Sequence, residues 1–200
     1  MLRKLAVFCL VSAAAADVLA QSVIVPRAIL ESYVGAYRTA SGDVTRIMLQ
    51  RGLLVGEDGA GRRTRFVAQS ENVFLAESGE VRMEFVKGGA GTVTRLLLTG
   101  PSPSEEAIRV QVARDILERY IGTYTISSDL SMAITFEGDR LIAQITGQSK
   151  VPVFAESATK FFVQDFSSGD VAELEFGTEQ GGPVYVVLRQ NGYEQKVTRN

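Results

Sequence analysis

Ser157-Ala158-Thr159-Lys160 is the tetrad whose residue types and spacing come nearest to nucleophilic catalysis. A serine and a lysine three positions apart match SxxK, a motif in which a lysine amine activates a serine hydroxyl for acyl transfer. On a helix the two groups stand one turn apart and can share a proton. Here the tetrad lies between two strand-like runs, Val151 to Phe154 and Phe161 to Val163. Extended or turn geometry at that spacing carries Lys160 away from Ser157. The companion SDN and KTG elements are missing. The tetrad is therefore expected to be a turn and not a nucleophile.

Other chemistry is narrowed by what the sequence lacks. There is no histidine, which removes the commonest general base and metal ligand, and with it the Ser-His-Asp triad and the zincin motif. The single cysteine, Cys9, lies in the apolar N-terminal run. Once that run is removed, no thiolate nucleophile, disulfide or cysteine metal site remains. Glu173 and Glu175 alternate along one strand, so both are expected to face solvent. Gly88-Gly89-Ala90-Gly91 lacks the Lys-Ser/Thr that a phosphate loop requires. Arg62-Arg63-Thr64-Arg65 reads as a solvated turn. No catalytic residue, metal or cofactor is expected.

One aromatic constellation recurs. Ile29-Leu30-Glu31-Ser32-Tyr33-Val34-Gly35-Ala36-Tyr37 returns as Ile116-Leu117-Glu118-Arg119-Tyr120-Ile121-Gly122-Thr123-Tyr124, a shift of 87 residues. Two readings of Tyr33, Tyr37, Tyr120 and Tyr124 follow. They form an aromatic platform for a ligand, or they plug a core with their rings while their hydroxyls bond to backbone. The same shift pairs Leu54 with Leu141, Ser70 with Ser157, Phe74 with Phe161 and Val110 with Val197. A repeat of this length sets the domain plan: residues 21–112 form a first module and 113–200 a second. On this register Glu106 to Val112 is the last strand of the first module.

The elements that position these residues are short. Each module opens with a helical segment, from Pro26 and from Ala113, ended by Gly35 and Gly122. Six strands follow in the first module before the last: Thr45–Leu49, Leu53–Gly56, Arg65–Ala68, Val73–Ala76, Val81–Val86 and Val93–Leu98. The second has eight: Thr123–Ile126, Met132–Phe136, Leu141–Ile145, Val151–Phe154, Lys160–Gln164, Val171–Phe176, Val184–Leu188 and Tyr193–Thr198. Turns at Arg51-Gly52, Glu137-Gly138, Gly181-Gly182 and Asn191-Gly192 separate them, the last being the strongest hairpin signal. Many short strands at regular spacing predict an all-β chain of two tandem small antiparallel meander barrels.

The first twenty residues pattern as a signal peptide: Arg3 and Lys4, an apolar run from Leu5 to Ala16, then Val18-Leu19-Ala20. The remainder carries 19 basic and 22 acidic residues, a net charge of −3, which argues against a nucleic-acid partner. The expected location is periplasmic or secreted, with no stable membrane span after cleavage.

The second module carries a recognisable pattern. It consists of Leu117-Glu118-Arg119-Tyr120-Ile121-Gly122-Thr123-Tyr124, then Leu141 to Gln148, Val153-Phe154-Ala155-Glu156-Ser157, Phe161-Phe162, Leu174-Glu175-Phe176 and Leu188-Arg189-Gln190-Asn191-Gly192. It resembles the family called domain of unknown function 3471, a β-rich module often C-terminal to serine hydrolases of the β-lactamase and penicillin-binding type. The first module matches more weakly. The resemblance implies no transferable catalytic residue. It implies a free-standing, duplicated accessory or binding module, with a serine hydrolase or other envelope protein as partner. A carrier of a small apolar ligand and an unrecognised hydrolase are the alternatives.

Overall fold

The computed structural model describes residues 23–89, 91–179 and 184–200. The expected signal peptide, Cys9 and the Gly181-Gly182 turn lie outside them. Two closed eight-stranded antiparallel barrels follow one another along the chain. The first is opened by α1 (Arg27–Tyr33). It contains β1 (Gly35–Thr39), β2 (Val44–Gln50), β3 (Leu53–Glu57), β4 (Arg63–Ala68), β5 (Val73–Ala76), β6 (Arg82–Lys87), β7 (Val93–Thr99) and β8 (Glu105–Arg109). The second is opened by α2 (Arg114–Glu118). It contains β9 (Gly122–Thr125), β10 (Ser131–Glu137), β11 (Arg140–Ile145), β12 (Val151–Ala155), β13 (Lys160–Gln164), β14 (Val171–Thr178), β15 (Val184–Gln190) and β16 (Tyr193–Arg199). No helix among the described residues is long and apolar enough to cross a membrane.

Each barrel is a meander closed by pairing its first strand with its last: β1 with β8, and β9 with β16. Closure leaves no free sheet edge to aggregate. Alternation places one side of each strand in the barrel. On β14, Ala172, Leu174 and Phe176 are buried while Glu173 and Glu175 stand on the outer side. The α1 and α2 segments cover one end of each barrel, and short hairpins form the other.

The structure corrects the constant 87-residue register. Tyr37 pairs with Arg109, and Tyr124 with Arg199, so Arg109 occupies the place of Arg199 at an offset of 90. Ala107, not Val110, corresponds to Val197, since each lies opposite the matching core residue of the preceding strand, Leu96 or Val186. The last strand of the first barrel is accordingly Glu105–Arg109. The shift arises in the β13–β14 hairpin. Phe74 faces Met83 across β5 and β6, whereas Phe161 faces Leu174 across β13 and β14, a hairpin four residues longer. One residue is recovered before β15. The strand β1 is not predicted from the sequence, because Gly35 and Ala36 have low β propensity and only the run Tyr37–Thr39 includes strand-favouring residues. Its partner β2 supplies the pairing.

Candidate functional site

The four tyrosines form two copies of one plug. Tyr33 donates its hydroxyl to the Glu71 carbonyl at 3.0 Å, and Tyr120 donates to the Ala158 carbonyl at 3.0 Å. Tyr37 donates to the Tyr33 carbonyl and Tyr124 to the Tyr120 carbonyl, both at 2.8 Å. The rings stack in parallel ways: Tyr33 lies 4.1 Å from Phe85, and Tyr120 lies 4.2 Å from Phe176. Phe74 and Phe161 meet these pairs edge-on. Such pairs add about 0.5–1.5 kcal/mol beyond the area they bury. Burial raises the pKa of all four phenols, that of Tyr124 to about 12. They are neutral rings tied to backbone, and no phenolate is available as a base.

Two arginines complete the plugs. Arg109 donates to the carbonyls of Ser32 and Val34, and Arg199 to those of Arg119 and Ile121. These are helix-end carbonyls that otherwise lack partners. Gly35 and Gly122 are glycines for this reason. A Cβ at Gly35 would lie 3.0 Å from the Arg109 guanidinium, and one at Gly122 would lie 2.5 Å from the Arg199 side chain. Sequence reasoning found the glycines but not the arginines, whose 90-residue spacing breaks the 87-residue register.

The SxxK tetrad forms the turn from β12 to β13. The Ser157 hydroxyl oxygen accepts the N–H groups of Thr159 and Lys160, at 3.2 and 2.9 Å. The Lys160 ammonium lies 3.8 Å from Glu175. The serine is a turn cap, as is Ser70 in the first barrel, whose oxygen accepts from Val73 at 3.2 Å. Glu175 pairs with Arg189 at 2.8 Å. Glu173 departs from the solvent-facing expectation: it accepts from Arg46 of the first barrel at 2.6 Å.

That ion pair belongs to a junction between the barrels. Outward residues of β2 and β3 meet outward residues of β12, β13 and β14. Met48, Val55 and Phe162 are buried there, and Phe154, Phe166 and Val171 pack against the first barrel's core cluster. Arg46 sits at one side of the patch, over the Phe162 ring, and binds Glu57, Glu156 and Glu173. Gln164 is fully buried. Its amide oxygen accepts the Leu49 N–H at 3.1 Å, and its amide nitrogen donates to the Leu49 carbonyl at 2.8 Å. The β1–β2 ladder ends at Gly35 and Ile47. Gln164 thus supplies the two bonds a longer β1 would have made, from the other barrel. The lengthened β13–β14 hairpin adds Phe166, whose carbonyl accepts from Arg27. A cleft of about 590 Å³ runs beside this junction, bounded by Glu31, Arg109, Arg140, Phe154 and Phe166. No cluster of metal-ligating side chains occurs among the described residues.

Penicillin-binding protein 4* of Bacillus subtilis (strain 168) is 24% identical over 139 residues, a match that covers 68% of this chain and 30% of that protein. The match is longer than either barrel, so it takes in parts of both. The chain spans under a third of that relative's length. A solved Bacteroides fragilis protein, provisionally described as an outer membrane protein, aligns over 86% of this chain and 99% of its own. Its identity of 11% and TM-score of 0.25 carry no argument about fold or role. Residues 106–198, from β8 to the end of the second barrel, match the family model described as Domain of unknown function (DUF3471).

Proposed function

We propose that the chain is an exported, non-catalytic accessory protein whose two barrels, divided near residue 112, act as one unit alongside a cell-envelope serine hydrolase. The observation that carries the reading is the 139-residue match. The relative shares the tandem region as a minor part of a larger penicillin-binding protein. The one hydrolase-like motif of this chain is a turn whose serine oxygen is occupied by backbone N–H groups. The junction supports joint action, since Arg46 and Gln164 link the barrels through part-buried and buried polar contacts.

Affinity capture from envelope extract, followed by fluorescent-penicillin labelling, tests this. The label is expected on a captured protein and not on this chain. Labelling of this chain that is lost in Ser157→Ala would overturn the non-catalytic reading. A specific observation favours a second reading, a small-ligand carrier. The second barrel holds an inner cavity of about 120 Å³. An apolar cavity of about 150 Å³ accommodates benzene, so the space suits a compact group and excludes a long acyl chain.

A further inference from the structure

The plugged ends of the barrels are alike, and the opposite ends are not. In the first barrel Phe66 closes over Gly56, where an added Cβ would lie 3.1 Å from the ring. The hairpin beside that end carries Arg62 and Arg63, paired with Asp58 and Glu57. In the second barrel Ala143 stands where Gly56 does and Val153 where Phe66 does. Its open end leads into the 120 Å³ cavity, walled by Met132, Ala143, Ile145, Ala172, Leu174 and Leu188.

The polar rim of this cavity holds Gln148, Ser149, Asp165, Asp170 and Gln190. Among the described residues it has two carboxylates and no cation. Both carboxylates sit on the hairpin that is longer in the second barrel. That hairpin is a built turn. Asp165 accepts the Ser167 N–H at 2.7 Å and the Ser167 hydroxyl at 2.6 Å. The Asp165 N–H donates to the Asp170 carbonyl at 3.0 Å, and the Gly169 N–H donates to the Asp165 carbonyl at 2.7 Å. The Ser167 bonds hold the Asp165 carboxyl below the usual carboxylate range, so its charge persists at neutral and mildly acidic pH.

We infer that the mouth of the second barrel binds a small organic cation, an ammonium head on a compact apolar body. The body leaves water for a wall of aliphatic side chains, which is favourable in proportion to the apolar area buried. The head stays at the rim, where two negative charges attract it without requiring its desolvation. An anionic head on the same body meets repulsion instead. This deepens the carrier reading above and is independent of the hydrolase-partner reading.

The test uses the full chain and three probes that share an isopropyl body no larger than benzene: isobutylammonium, isobutanol and isobutyrate. Methyl-selective NMR titration follows Ala143, Ala172, Ile145 and Met132, with first-barrel methyls as internal controls. The ammonium is expected to shift these four saturably, to bind at least about tenfold more tightly than the carboxylate, and to leave the first barrel unmoved. Asp165→Asn with Asp170→Asn should bring the ammonium to the affinity of the alcohol. Ala172→Leu should abolish all three interactions, and Leu188→Phe serves if that variant fails to melt cooperatively. Equal affinity for ammonium and alcohol in the unaltered chain overturns the cation assignment while leaving a carrier. Absence of saturable shifts with every probe overturns the cavity as a ligand site and the carrier reading with it.

Discussion

The first and second barrels repeat the same closed end bond for bond and diverge where that end stops. Tyr33 and Tyr120 donate to carbonyls at equivalent positions, and Arg109 and Arg199 clasp the same two helix-end carbonyls. Away from the plug, Phe66 fills the first barrel, while the second stays open beneath Asp165 and Asp170. The outer faces differ as well. Phe162 and Gln164 of the second barrel enter the junction, whereas their first-barrel counterparts are Leu75 and an exposed Glu77. Shared features are those that close a barrel. Divergent ones are those that touch something outside it.

The plug is where the comparison breaks hardest. Tyr33→Ala and Tyr120→Ala should each cost about 3–5 kcal/mol, the usual range for emptying a large aromatic site. Calorimetry should show the affected barrel unfolding first. Equal, small losses would mean that the plugs are surface features. Gln164→Ala comes next. It leaves the N–H and carbonyl of Leu49 without partners in a buried patch, at about 1–3 kcal/mol for each group. The matched change Glu77→Ala should fall within about 0.5 kcal/mol, as exposed substitutions do. Denaturant melts of the pair would show whether the junction is held by Gln164 or by apolar contact alone.

Alkaline pH probes the plugs more gently. A phenol whose folded pKa is raised keeps its proton after the unfolded chain has lost its own. The stability due to Tyr124 is thus complete below pH 10 and is lost as pH climbs toward about 12. Tyr124→Phe should flatten the fall in melting temperature over that window, and Tyr37→Phe should do the same for the first barrel. The smallest expected effect is that of Ser157→Ala. Losing a turn-capping hydroxyl should cost about 0.5–1 kcal/mol and leave penicillin labelling unchanged at zero.

The second barrel was legible strand by strand, because its alternation is clean and its turns carry glycine. The plug tyrosines were legible as a repeat, although repetition alone could not separate a ligand platform from a core. The junction was invisible. In β13 the period-2 pattern puts Phe161 and Val163 inside and Phe162 and Gln164 outside, which looks like a solvated face. Only the contact with Leu49, 115 residues away, gives Gln164 its role. Arg46 is alike: its partners Glu156 and Glu173 lie more than a hundred positions downstream, and no local spacing marks them. The longer β13–β14 hairpin is hidden in the sequence because Phe74 and Phe161 still match at an offset of 87, and nothing in the hairpin itself marks the four added residues.

The junction joins unlike faces of like modules: β2 and β3 of the first to β12, β13 and β14 of the second. Contacts of that kind have no natural end. If both faces were kept on every copy, each barrel would recruit the next, and the product would be a fibre. The outermost faces lack the means. Ala133 and Thr135 stand where Arg46 and Met48 would receive a third barrel, and Glu77 replaces the glutamine that would reach into another. The duplicated chain is a polymer of two units with both growing ends chemically blunted.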